Sequence, residues 1–146
     1  MATYPTNSVN AGKVVVGGDF TSFGGFARGR IARLNADGSV DTTFDPGTGA
    51  DGLVRSVTIQ LDGKVLLGGA FTNVNGVALT RIARLNNDGS VDATFTPGLG
   101  ANDSVYAVTL QPDQRILLGG EFSQCSGVTR SRISWAWMRW ATACCS

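Results

Sequence analysis

The sequence predicts an all-β protein built from a tandem repeat, and three observations support that fold class. Glycine accounts for 20 of the 146 residues, roughly twice its average share, while charged residues make up only 16%. Gly12–Gly49 and Gly63–Gly100 align without gaps at an offset of 51 residues and are identical at 25 of 38 positions. A third copy follows in the same phase. Periodicity of this length with a glycine-rich composition is typical of stacked β units.

The first half of each repeat predicts two strands joined by a tight turn. Residues 54–60 are rich in β-branched residues and nearly alternate, which predicts a first strand. Residues 65–71 follow a turn at 61–64 and form an apolar run, which predicts a second strand. The glycine pair inside that run indicates a bulge or a close approach of another backbone.

The second half of each repeat predicts a third strand and a short fourth segment. Residues 81–86 are bounded by a Gly/Asn-containing loop before them and by the Asp88-Gly89 turn after them. Residues 90–95 predict the fourth segment, which ends at Pro97-Gly98, where proline fits an edge position. One repeat therefore holds about four strands.

Four short antiparallel strands in a unit of about 50 residues are the content of a β-propeller blade. The second strands are apolar on both faces, as expected for sheets that are covered on both sides. A β-solenoid is the alternative, but its repeats are usually shorter and carry fewer strands per turn. The sequence thus predicts β-propeller-type blades of about four antiparallel strands, with a 51-residue repeat and just under three repeats per chain.

The predicted repeat domain covers residues 1–133, and its repeats lie at about 12–53, 54–104 and, in part, 105–133. Thr3–Val9 lacks the pattern of a first strand, so the first repeat is expected to open with strand two. Residues 134–146 leave the repeat abruptly and contain all three tryptophans. A reading-frame change or foreign tail explains this segment, and so does an evolved cap that buries tryptophan against a neighbour.

The repeat motif resembles a known family. Asp37–Gly47 preceded by Ile31–Asn35, with its second copy at Ile82–Gly98, is similar to the delta-60 repeat family. The other half of the motif, Gln60–Gly69, recurs as Gln111–Gly120. The resemblance covers about residues 12 to 133 and implies a propeller-like repeat found in bacterial surface or secreted proteins and sometimes in phage. It implies no catalytic residue and no defined ligand.

Charge and composition argue against several classes of function. Twelve Lys and Arg against eleven Asp and Glu give a net charge of +1, so no overall field draws nucleic acid or an anionic membrane to the chain. Histidine is absent, which removes the commonest general base and metal ligand. We expect no enzyme activity, no cofactor and no metal site.

The cysteines and the N-terminal segment give little information on compartment. Cys125 stands alone, and Cys144 and Cys145 are adjacent, so no zinc-type spacing occurs and their redox state stays open. Residues 1–8 do not form a recognisable signal peptide, and no stretch approaches 18 apolar residues, so no membrane insertion is expected. An extracellular surface or a virion is the favoured location.

The candidate site residues all have structural interpretations. Glycines in turns and within the repeat are expected to serve the backbone, and they are Gly17, Gly18, Gly38, Gly68, Gly69, Gly89, Gly119 and Gly120. Arg33 and Arg84 recur in the third strand and predict a structural ion pair between blades, with stacking between blades and contact with a ligand as the alternatives. Asp19 and Glu121 share a repeat position that holds Ala70 in the second repeat, which argues against a ring of metal ligands.

Acidic residues also bracket the Asp-Gly turns. Asp37 with Asp41 and Asp88 with Asp92 allow a calcium site, but the glycine is misplaced for an EF-hand loop, and turn chemistry is favoured.

The number of repeats leads to a prediction about assembly and function. A closed propeller needs at least four blades, and fewer than three are present, so we expect self-association into a closed ring. A fragment of a longer propeller is the alternative. The predicted function is a non-catalytic structural or binding module that presents loops to a protein or glycan ligand. A carbohydrate-active hydrolase or lyase, and a truncated or engineered propeller fragment, remain open as alternatives.

Overall fold

The computed structural model describes residues 1–125, and within that range the chain is all-β with no helix. The strands are β1 (Ala2–Thr3), β2 (Val14–Gly17), β3 (Ser22–Phe23), β4 (Phe26–Ala27), β5 (Ile31–Leu34), β6 (Val54–Ile59), β7 (Val65–Gly69), β8 (Asn73–Val74), β9 (Val77–Ala78), β10 (Ile82–Leu85), β11 (Val105–Leu110) and β12 (Ile116–Gly120). No helix of the described range has the length and apolar character needed to span a bilayer. The prediction of an all-β chain of antiparallel blades is confirmed.

The strands form three successive antiparallel blades. Blade 1 has the order β1-β2-β5, blade 2 has the order β6-β7-β10, and the described part of blade 3 is the pair β11-β12. The register repeats between blades, since Val15 faces Arg33 in blade 1 just as Leu66 faces Arg84 in blade 2. The predicted third strand of blade 3 and the predicted tail at 134–146, which includes Cys144 and Cys145, lie outside the described residues.

Blade 1 does have a first strand, contrary to the expectation that it opens with strand two. β1 pairs with β2, with Ala2 opposite Val15. The backbone N–H of Tyr4 donates to the Lys13 carbonyl at 3.0 Å, just as Gln60 donates to Lys64 at 2.8 Å in blade 2. Tyr4 thus takes the place of Gln60, but the turn that follows is five residues longer. A fixed 51-residue offset therefore misplaces this strand.

The fourth segment of each repeat meets the third strand through a single bridge rather than a ladder. These bridges join Leu34 to Val40 and Leu85 to Val91. Pairing stops at the next residue because the Asp41 side chain accepts from the backbone N–H of Thr43 at 3.0 Å, which bends the chain into a turn. The side-chain hydrogen bond thus ends the strand.

A small hairpin replaces the Gly/Asn-containing loop predicted between the second and third strands. In blade 2 it consists of β8 and β9 joined at Asn75-Gly76, where both residues have positive φ, 48° and 79°. Two consecutive residues of this kind make the type I′ turn that suits a two-residue hairpin. Blade 1 uses Gly24-Gly25 for the same turn between β3 and β4.

The blades stack face to face and bury two apolar clusters between them. One cluster joins blades 1 and 2 and the other joins blades 2 and 3. β7 is buried at all five positions because it is covered on both faces. The first strands make the closest contacts between blades, with β11 against β6 and β7, and β6 against β2. The first strands therefore lie on the side where the blades converge.

Candidate functional site

A buried ion cluster lies at the centre of blade 1. Oδ2 of Asp41 accepts from Lys13 Nζ and from Arg33 Nε, both at 2.7 Å. Oδ1 of Asp41 accepts from the Thr43 hydroxyl at 2.6 Å, and the Arg33 guanidinium stacks on the Phe44 ring at 4.8 Å. The third strand positions Arg33, and the turn within the fourth segment positions Asp41. Together they join the fourth segment to the third strand.

Blade 2 repeats the cluster with the same contacts. Asp92 accepts from Lys64 Nζ at 2.8 Å and from Arg84 Nε at 2.7 Å, and Arg84 stacks on Phe95 at 4.8 Å. The exposure differs, because the side chain of Arg84 is 19% exposed whereas that of Arg33 is 3% exposed. The ion pairs of both arginines therefore lie within their own blades.

Arg33 also contacts the next blade. Its Nη1 donates to the backbone carbonyl of Asn87 in blade 2 at 2.7 Å, and lies 3.4 Å from the hydroxyl of Tyr4. Arg33 therefore makes two kinds of interaction, an ion pair with Asp41 inside blade 1 and a hydrogen bond to a turn carbonyl of blade 2. Burial raises the pKa of the Tyr4 hydroxyl, although the hydrogen bond with Arg33 opposes that effect.

The carboxylates of both clusters are held in the charged form. Burial by itself raises the pKa of Asp41, but hydrogen bonds from Lys13, Thr43 and Arg33 outweigh it and keep that pKa far below its usual range. The pKa of Asp92 is lowered in the same way, against the effect of burial, by Lys64, Thr94 and Arg84. Each carboxylate is therefore an anion at neutral pH that ties the ion cluster of its blade together.

Four of the predicted glycines fall into two structural groups. Gly38 and Gly89 have φ of 84° and 93° in the Asp-Gly turns, where a side chain would be strained. Gly17 and Gly68 lie under valines of the next blade, and a Cβ on Gly17 would be 2.5 Å from Cγ1 of Val54.

The remaining predicted glycines lie against backbone or in the open. A Cβ on Gly69 or Gly120 would overlap a carbonyl oxygen of the segment before its own first strand, and one on Gly18 would press on Phe20. Gly119 differs, since the nearest atom to its Cβ would be 3.9 Å away, on Ala107. Gly119 is the position in blade 3 that corresponds to Gly17 and Gly68. The face of blade 3 on which it lies is therefore not covered by any described residue.

The acidic residues at the turns serve the backbone. Oδ1 of Asp37 accepts from the Ser39 N–H at 2.9 Å, and Asp88 accepts from the Ser90 N–H at 2.9 Å. Hydrogen bonds from the Ser39 and Ser90 hydroxyls, and then from these N–H groups, lower the pKa of both aspartates. Asp19 pairs with Arg30 at 3.2 Å. Among residues 1–125, no three Cys, Asp or Glu side chains gather as a metal site would require.

A surface pair joins blades 2 and 3 on the converging side. The guanidinium of Arg55 stacks on the ring of Tyr106 at 4.8 Å. Both residues sit at bulges of their first strands, which turn them out of the ladder. A hydrogen bond to Glu121 raises the pKa of Tyr106. Cys125 is buried in the cluster between the same two blades.

A polar cleft of about 240 Å³ opens where blades 1 and 2 meet at the turn end. Its walls are the long turn at 7–10 in blade 1 and the tight turn at 61–63 in blade 2, and Asn87 lies between them. Nδ2 of Asn87 donates to the Asp62 carbonyl at 3.2 Å. Gly63 leaves space for this amide, because a side chain there would overlap Oδ1 of Asn87. The repeat pattern does not predict this cleft, although the polar run Asn7-Ser8-Val9-Asn10 is a departure from the repeat that marks it.

The fold and these contacts define a class of protein, a tandem array of propeller blades fastened by a repeated ion cluster. A family model described as a domain of unknown function (DUF5122) beta-propeller matches residues 12–44, 60–95 and 111–134, which is more than half of the chain. The chain belongs to this beta-propeller family. Each of the first two matched segments begins at the turn before the second strand and includes the third strand and the turn aspartate. No curated protein and no solved structure matches the chain.

Proposed function

We propose that this chain is a non-catalytic propeller module that self-associates into a closed ring and presents its turns for protein or glycan recognition. One observation carries the proposal. Within residues 1–125 the same kind of interface forms twice, between blades 1 and 2 and between blades 2 and 3. The two surfaces that would form a third interface of this kind, the outer face of blade 1 and the outer face of blade 3, are partly exposed.

The outer face of blade 3 is one half of that interface. Leu117 and Gly119 are partly exposed there, whereas their counterparts in blade 2 are covered. Leu66 is fully buried, and Gly68 lies under Val105 and Val108. A sheet face of this kind is stable when another blade covers it.

The outer face of blade 1 is the other half. Val14 and Val16 are partly exposed on it, whereas their counterparts in blade 2, Val65 and Leu67, are fully buried against blade 1. Because the two exposed halves belong to one kind of interface, identical chains can pair head to tail. Such contacts close into a ring when the rotation between chains divides the circle. Two chains give about six blades and three give about eight or nine, which lies near the usual range for propellers.

The repeats and their acidic residues favour a structural or binding role. The first two repeats are identical at 25 of 38 aligned positions, whereas catalysis requires blades to diverge at a site. The aspartates of the two ion clusters are fully used by hydrogen bonds within their own blades. The resemblance to the delta-60 repeat supports a bacterial surface or a virion as the setting.

Solution mass tests the proposal directly. We expect the chain to elute as a stable dimer or trimer by light scattering coupled to size exclusion, at two concentrations that differ tenfold. The variant Leu117→Lys places a charge on the outer face of blade 3 and is expected to give a folded monomer. Leu99→Lys is the control, since Leu99 is 78% exposed in a turn and should leave the mass unchanged. A monomeric parent chain would contradict ring closure by self-association.

A further inference from the structure

We propose that the cleft between the turn at 7–10 and the turn at 61–63 binds a single sugar residue. The inference rests on the proposed function as a binding module and names the chemistry of one ligand. It is independent of ring closure, because blades 1 and 2 of one chain supply every wall of the cleft.

The polar groups of the cleft match a ligand that carries hydroxyls. The side-chain amides of Asn7, Asn10 and Asn87 each offer a donor and an acceptor, as neighbouring hydroxyls of a sugar do. Asp62 adds a carboxylate whose Oδ1 accepts from the Lys64 N–H at 3.1 Å, and its Oδ2 can accept from a ligand hydroxyl. None of the described residues that line the cleft is Lys or Arg. The cleft therefore favours a neutral ligand over a phosphate.

Two aliphatic side chains complete the match. Val9 is 94% exposed and Leu61 is 78% exposed, and they stand on opposite walls of the cleft. A sugar ring has an apolar C–H face that such side chains can contact, while its hydroxyls meet the amides. The volume of about 240 Å³ is below the roughly 300–1,000 Å³ of sites for drug-sized ligands. One ring is thus the size of ligand that the cleft accommodates.

The cleft exists because the repeat is broken on both of its sides. The turn between the first two strands is five residues longer in blade 1 than in blade 2. The shorter turn of blade 2 is enough to connect the same two strands. Asn87 stands where the first repeat has Ala36. The long turn and Asn87 meet at the boundary between blades 1 and 2, so both departures from the repeat shape the cleft.

The floor of the cleft is fixed before any ligand binds. The buried side chain of Arg33, 3% exposed, donates a hydrogen bond to the backbone carbonyl of Asn87. The side-chain amide of Asn87 donates in turn to the backbone carbonyl of Asp62. Nδ2 of Asn10 lies 3.5 Å from Oδ1 of Asn87 and orients that side chain. A preorganised amide loses less conformational entropy on binding, which favours affinity for a small ligand.

Saturation-transfer NMR with the full chain tests this proposal. The probes are methyl glycosides of glucose, galactose, mannose and N-acetylglucosamine, with inorganic phosphate as a separate sample. We expect saturation transfer to the ring C–H protons of at least one glycoside. In the ¹⁵N-labelled chain, that glycoside should shift the side-chain amides of Asn7, Asn10 and Asn87.

A matched pair of variants separates binding from turn stability. Asp62→Ala should weaken the affinity about tenfold, because it removes a charged hydrogen-bond acceptor from the ligand. Asp113→Ala removes the same turn contact in blade 3, where Oδ1 accepts from the Arg115 N–H at 3.1 Å, and should leave the affinity unchanged. Equal effects of the two variants, shifts caused by phosphate alone, or no transfer to any glycoside would overturn the proposal. The solution mass of the same samples reports ring closure separately.

Discussion

The residue that organises blades 1 and 2 is an aspartate inside the fourth segment. Asp41 takes one Arg, one Lys and one Thr as partners, and its side chain is only 4% exposed. Removing it leaves Arg33 charged and buried, which is costly because an unpaired charge loses its hydration without compensation. The cluster therefore matters for stability mainly because loss of one partner leaves a buried charge without compensation.

Asp41→Ala is expected to lower the free energy of unfolding by about 3 kcal/mol. Asp92→Ala should cost less, because Arg84 is 19% exposed and regains hydration more readily than Arg33, at 3%. Urea unfolding at pH 7 measures both values. Equal losses in the two variants would show that exposure of the arginine does not set the cost.

The same clusters give the stability a defined dependence on pH. The pKa values of Asp41 and Asp92 lie below the unfolded value of about 3.9, so their contribution is fully present above about pH 5. It is lost progressively as the pH falls below about 4, because the carboxylates take up protons in the unfolded chain there while those of the folded chain stay ionised. We expect the stability difference between the parent chain and Asp41→Ala to shrink steadily from pH 5 to pH 2. A difference that stays constant over this range would contradict the lowered pKa.

At the scale of elements, the segment between repeats is fastened by hydrogen bonds to the blade that follows it. In blade 2, Oδ1 of Asp51 accepts from the backbone N–H groups of Thr72 and Asn73 at 2.7 and 2.9 Å. In blade 3, Oδ1 of Asn102 accepts from the N–H groups of Ser123 and Gln124, both at 3.0 Å. The acceptor oxygen is the shared feature, since one side chain is charged and the other is neutral.

Asp51→Asn should therefore be tolerated, whereas Asp51→Ala should destabilise the chain. Alanine leaves two backbone donors without their acceptor, at a cost of about 1–3 kcal/mol, while asparagine keeps the carbonyl oxygen. Thermal unfolding of the two variants checks the order. If both variants lost the same stability, the charge of Asp51 rather than its acceptor oxygen would be responsible.

The elements also differ in how well the pattern of residues predicts them. The second and third strands are found where the pattern places them, because burial on both faces requires their apolar runs. The pattern predicts a loop where the hairpin β8–β9 lies, although the Asn75-Gly76 pair is a strong turn signal between two valines. The fourth segment shrinks to one bridge because Asp41 and Asp92 capture the backbone that a strand would use.

At the scale of the whole molecule, small residues set how closely the blades approach. Gly68 lies beneath Val105 and Val108, and a Cβ there would be 2.7 Å from Cγ1 of Val105. Gly119 is its counterpart in blade 3, where the same position is open on the outer face. The same substitution thus probes an internal interface at one site and the proposed contact between chains at the other.

Gly68→Ala is expected to cost about 1–3 kcal/mol of stability, since the added methyl forces the two blades apart. Gly119→Ala should leave the unfolding of a dilute, monomeric sample unchanged but weaken self-association measured by solution mass. A loss of stability in the dilute Gly119→Ala sample would show that the outer face of blade 3 is already covered within the chain.

The amino-acid sequence by itself determined the repeat length, the antiparallel blades and the family resemblance. These features are local, because the period of turns and apolar runs is written along the chain. The sequence also predicts that Arg33 and Arg84 pair with carboxylates. Only the tertiary structure shows that the partners are Asp41 and Asp92 rather than another aspartate nearby. Likewise, the cleft brings together Asn10 and Asn87, which are 77 residues apart in the sequence. Contacts of that kind depend on how one blade stacks on the next, and no spacing within a single repeat encodes them.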